Sequence, residues 1–126
     1  MESNMVGWFE IPVTNMKRAQ KFYETVFDVK IQVQDLNELK MGIFPFAEGK
    51  LGAWGALVKH PEFYQPSSSK GPLLYFSCSD VQVQQDRIEK SGGTILQAKK
   101  MISKDAGYMA LFIDTEGNRI ALHSRQ

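Results

Sequence analysis

The chain has 126 residues, enough for one ordinary domain or two very small ones. Apolar residues make up 43% and charged residues 23%, which suits a folded globular protein, and a formal net charge of +1 gives no electrostatic case for a nucleic-acid partner or a membrane surface. One cysteine, Cys78, excludes an internal disulfide and fits a reducing compartment, so a cytoplasmic location is expected. The opening MESNMVGWFE has no basic segment followed by an apolar run, so no signal peptide is expected, and no apolar stretch is long enough to span a bilayer.

Trp8 to Val13 alternates. Phe9, Ile11 and Val13 lie on one side, Trp8, Glu10 and Pro12 on the other, which predicts a strand with two unlike faces. Thr14-Asn15 breaks the alternation and offers a helix cap. From Met16 the apolar residues Met16, Ala19, Tyr23, Val26 and Phe27 recur three or four apart, the mark of a helix with one buried stripe. Lys30 to Val33, Leu39 to Phe44 and Leu51 to Val58 then read as strands, with Glu48-Gly49 as a turn before the third. The stretch from His60 to Pro72, rich in Pro, Ser and Gly, reads as a linker.

After the linker the opening pattern returns. Leu74, Phe76 and Cys78 alternate with Leu73, Tyr75 and Ser77, Ser79-Asp80 takes the capping place, and Val81 to Lys90 reads as a helix ended by Ser91-Gly92-Gly93. Thr94 to Gln97, Gly107 to Ile113 and Arg119 to Ser124 read as strands, the last two joined by a hairpin turn at Thr115-Glu116-Gly117-Asn118. Asn15 and Asp80 lie 65 residues apart, and the same element order follows each. The expected fold is therefore α+β: two tandem βαβββ modules forming a shared cup-shaped half-barrel, with the helices on the outer face. Module one is placed at about 4–60, the linker at 61–72 and module two at 73–126, all within one domain. Phe9, Ile11, Val13, Leu74, Phe76 and Cys78 should point at the helices, and a one-residue slip would exchange them with the cup-facing set.

The stretches EIPVTNMKRAQKFYETVF and FIDTEGNRIALH resemble the opening module and closing hairpin of the glyoxalase / bleomycin-resistance / extradiol-dioxygenase (vicinal oxygen chelate) superfamily. That resemblance implies the cup-shaped fold and a homodimer, but it does not choose among isomerases, lyases, dioxygenases and binding proteins. The superfamily's metal-bearing members place ligands at positions that fall here on Trp8, Leu73 and Ala121, with a fourth near Ala56. None of these side chains offers a lone pair to a divalent cation. The expectation is a protein with no metal and no other cofactor, binding a small organic molecule in an aromatic-lined cup. The alternative is an enzyme of the same superfamily using Glu10 and His123, with or without an off-pattern divalent metal.

For binding, Trp8, Trp54, Tyr75, Met109, Leu111 and Arg119 are the candidate cup-lining residues. Glu10 and His123 are the catalytic candidates. Glu10 would be a poorly hydrated carboxylate suited to general acid or base work, or else the structural partner of Arg119. His123 is either a base or a partly exposed residue near the C-terminus, and His60 reads as a surface residue beside Pro61. Cys78 alternates toward the helix side and reads as a buried small apolar residue.

Overall fold

The switch from strand to helix at Thr14 sets the architecture. In the computed structural model, which describes residues 1–126, strand β1 (Trp8–Pro12) runs into helix α1 (Met16–Phe27). Asn15 is extended and its side chain accepts from the Arg18 N–H at 3.0 Å, satisfying one of the free donors of the first turn. Asp28, in the left-handed conformation at φ 53°, ends the helix. Strands β2 (Gln32–Leu36), β3 (Leu39–Ile43) and β4 (Trp54–Lys59) complete the first module. The second repeats it: β5 (Tyr75–Ser77), α2 (Val81–Ile88) with a short 3-10 turn over Glu89–Ser91, then β6 (Thr94–Ser103), β7 (Gly107–Ile113) and β8 (Arg119–Ser124). Asp80 caps α2 by accepting from the Gln82 N–H at 2.9 Å.

Each module folds its strands into a four-stranded mixed sheet, in the orders β1-β4-β3-β2 and β5-β8-β7-β6. The first strand pairs in parallel with the last, and the rest are antiparallel. Register follows the alternation read from sequence. Ile11 and Val13 are buried, and Phe9, Leu74, Phe76 and Cys78 pack against the same core, while Trp8, Glu10, Tyr75 and Ser77 stay exposed. That core is shared between the modules. Phe9 and Phe76 meet edge to face at 5.7 Å between ring centres, Phe27 and Phe76 at 4.7 Å, and Phe22 and Phe112 at 5.9 Å. Arg87 donates to the Val26 carbonyl at 3.1 Å, tying the second helix to the first.

Several boundaries differ from the sequence reading. β6 continues to Ser103 rather than stopping at Gln97, because its register shifts twice between Ile95 and Lys100 and again near Ser103. Each irregularity breaks the period-two pattern by which a strand is recognised. β2 starts at Gln32 rather than Lys30; it is an exposed edge strand, so no apolar face marks it. Leu51 to Ala53 is not part of β4: Gly52 takes φ 102° and Leu51 lies 95% exposed. Phe22 joins the buried stripe of α1, since that helix packs on module two as well as on its own sheet.

Candidate functional site

The sequence-predicted site residues fall into two groups, one on the helix-distal face of each sheet. On the first sheet β1 pairs Trp8 with Trp54, and their rings meet edge to face at 5.3 Å. The Trp8 indole N–H donates to one Glu10 carboxylate oxygen at 3.2 Å, and the Tyr64 hydroxyl donates to the other at 2.6 Å. Hydrogen bonding to Glu10 raises the Tyr64 phenol pKa, with burial adding to it. Tyr64 belongs to the linker, so that segment is tied to the edge strand β1. Glu10 is exposed, not dehydrated, and its partners are Trp8 and Tyr64 rather than Arg119.

On the second sheet the pairing places Tyr75 beside Ala121, Leu111 across from Ala121, Met109 across from His123, and Arg119 across from Ile113. Alternation puts Tyr75, Met109, Leu111, Arg119 and His123 on one face. His123 Nε2 contacts the Ala106 carbonyl in the turn before β7, and since a carbonyl can only accept, that nitrogen carries the proton. No hydrogen bond or ion pair links Glu10 with His123 or Arg119. Nowhere in the chain do three His, Cys, Asp or Glu side chains come together to hold a metal ion. Trp8, Leu73 and the fully buried Ala121 are no better placed, so the residues present do not fit the superfamily's usual metal site.

The other named residues have clear local roles. His60 is not a plain surface residue: its Nδ1 accepts from the Glu62 N–H at 3.1 Å and its ring stacks on Phe63, which organises the start of the linker. Burial pushes the Cys78 thiol up to about 11, so it stays protonated near neutrality and unreactive.

Between the modules lies a cleft of about 460 Å³. Phe9, Phe27, Phe44 and Phe76 line it, with Leu51 to Gly55 on one side and Leu73 to Ser77 on the other. Trp54 and Tyr75 border it; Trp8, Met109, Leu111 and Arg119 do not. Gly55 is required at its wall, because a Cβ there would collide with the Phe9 carbonyl oxygen and ring. The Trp54 indole N–H is spent on the Phe44 carbonyl at 2.7 Å, which leaves the Tyr75 and Ser77 hydroxyls as the free polar side-chain groups of the lining. Sequence reasoning placed Phe9, Phe27 and Phe76 on core-facing sides alone and gave Phe44 no role beyond its strand. The available signal was their number, with eight Phe in the chain.

At another part of the seam the turn Asp114–Asn118 bridges the two modules. Asp114, Glu116 and Asn118 are buried. Asp114 accepts from the Glu116 and Asn118 N–H groups and from the Tyr23 hydroxyl at 2.6 Å. Burial first, then the Asp114 charge, drives the Tyr23 phenol pKa well above its ordinary value. Glu116 accepts the Thr14 and Asn15 N–H groups at the start of α1, each at 2.9 Å, and the Arg18 guanidinium at 2.7 Å. Burial alone would raise the Glu116 pKa. The Arg18 guanidinium and those N–H groups outweigh it and hold the carboxyl at about 2.

The family model described as Glyoxalase/Bleomycin resistance protein/Dioxygenase superfamily matches residues 5–122. A glyoxylase-like domain-containing protein of Didymella fabae is 28% identical over 123 residues, covering 95% of this chain and 93% of that protein. A glyoxylase/bleomycin resistance protein/dioxygenase domain from Frankia sp. superposes with a TM-score of 0.74 at 14% identity, covering 98% of both chains. TnmS3, an antibiotic binding protein from Streptomyces sp., gives 0.67 at 20% identity, over 100% of this chain and 99% of that one. Glyoxalase I from Zea mays gives 0.69 at 16% identity over 94% of this chain, which spans 45% of the maize chain. At such identities the structural likeness speaks for the fold alone.

Proposed function

Because the chain belongs to the glyoxalase/bleomycin resistance protein/dioxygenase superfamily, we propose that it binds a small organic molecule in the cleft between its modules, without a metal. The observation that carries this reading is the cleft itself. Its volume of about 460 Å³ lies within the range of small-molecule sites, and its lining is mostly apolar with a few polar groups, as such sites require. Trp54 and Tyr75, at its border, are residues whose large faces suit a flat ligand. The likeness to TnmS3, an antibiotic binding protein over its whole length, supports a binding role. The enzymatic alternative has less support, since Glu10 and His123 sit in separate hydrogen-bonded groups on different sheets.

A thermal-shift screen of chemically diverse organic molecules tests the reading. A ligand present at one hundred times its Kd should stabilise the native state by about 2.7 kcal/mol. The same ligand should change the fluorescence of Trp54, and Trp54→Phe should remove that change. A broad panel that never moves the melting temperature would overturn the proposal.

A further inference from the structure

None of the sixteen residues lining the cleft is charged. The charged side chains singled out above, Glu10, Arg119, Arg18 and Glu116, all lie outside it. An ion entering such a space would lose its hydration and find no counter-charge, a penalty that an apolar body does not meet. The floor is four phenylalanine rings, of which Phe9, Phe27 and Phe44 each lie within 6 Å of Phe76, centre to centre. Such a floor presents ring faces and edges to a flat guest. The free Tyr75 and Ser77 hydroxyls can each donate one hydrogen bond and accept others. Tyr75 and Ser77 are exposed whereas the four phenylalanines are buried or half-buried, so the polar part of the lining is its solvent side.

From these observations we infer that the cleft selects an uncharged, ring-bearing molecule with its rings inward on the phenylalanine floor and a carbonyl or hydroxyl outward at Tyr75 and Ser77. This rests on the binding role proposed above and adds the chemical class and the orientation of the ligand. It excludes phosphorylated compounds, carboxylates and cationic amines from the buried part of the cleft.

Three probes of one shape decide it: 2-acetylnaphthalene, 2-naphthoate and the 2-naphthylmethylammonium ion, titrated by Trp fluorescence and calorimetry at pH 7. The neutral ketone should bind at least tenfold more tightly than either ion. Tyr75→Phe should weaken the ketone roughly two- to tenfold, the worth of one hydrogen bond, and leave unsubstituted naphthalene unchanged. Ala53→Lys, at an exposed wall position, should raise the affinity of 2-naphthoate relative to the ketone. Equal or tighter binding of either ion to the unaltered protein would overturn the inference and leave the binding role standing. If no naphthalene compound binds, the inference falls, and the binding role is decided by the diverse thermal-shift panel. An Ala53→Lys protein with unchanged preferences would overturn the placement.

Discussion

The repeat gives each module a connection between its third and fourth strands, and the two connections do opposite things. In module two it is the five-residue turn Asp114–Asn118. Its Asp, Glu and Asn point inward and bond across the seam to Thr14, Asn15, Arg18, Tyr23 and the Pro12 carbonyl. In module one it runs over residues 44–53, twice as long, and its second half carries small or outward-facing residues such as Gly49, Leu51, Gly52 and Ala53. That longer connection borders the cleft. One connection thus seals the modules together with buried charge, and the other leaves room between them. The capping of the helices shows the same asymmetry. The cap of α1 is braced by the opposite module through Glu116, whereas Asp80 of α2 is braced from its own sheet by Lys99 at 2.8 Å.

The comparison breaks first at Glu116. Glu116→Ala removes a buried carboxylate that accepts the Thr14 and Asn15 N–H groups and pairs with Arg18. Urea unfolding should show a loss of about 3 kcal/mol, the scale expected when one partner of a buried charged network is deleted. A change below about 0.5 kcal/mol would mean that the turn is not the seal described here.

The same residue predicts an acid limb. The Glu116 pKa falls from 4.5 to about 2 on folding, so its stabilisation is complete above pH 4.5 and is lost as pH falls toward 2. Solvent screening at the half-exposed Arg18 keeps the contribution below the roughly 3 kcal/mol that a shift of that size would give in full. Glu116→Gln should flatten the stability profile between those pH values, measured by urea melts at each pH. Tyr23→Phe should cost less, about 1.5 kcal/mol, because Asp114 keeps three N–H donors, the Glu116 and Asn118 backbone N–H groups and the Asn118 side-chain amide, when the phenol is gone.

The sequence showed the seam's components but not their division of labour. The alternation of Phe9, Ile11 and Val13, the caps at Asn15 and Asp80, and the 65-residue repeat were legible because period and capping are local properties. The turn Thr115 to Asn118 was legible as a turn, but Glu116 as the brace of α1 was not. It acts on residues about a hundred positions away, and no local pattern records that. The link from Glu10 to Tyr64 was hidden for the same reason, since the linker composition gave no sign that it is tied to the first sheet. The cleft was hidden more deeply. Phe9 and Phe76 occupy core-facing positions by alternation, and only the docking of the modules reveals that part of their surface borders a void.

The smallest expected effect tests the open side of the comparison. Leu51 projects from the long connection with 95% of its surface exposed, yet it borders the cleft. Its side chain contributes almost nothing to the folded core, so Leu51→Ala should leave the unfolding free energy within about 0.5 kcal/mol of the parent. A ligand seated in the cleft would cover that side chain, and its removal should then weaken binding by roughly three- to tenfold, the worth of partial burial of a leucine at about 25 cal/mol per Å². Unchanged stability with weakened binding would show that this connection serves the ligand rather than the fold. A large loss of stability would instead assign Leu51 to the seal, and the contrast between the two connections would have to be abandoned.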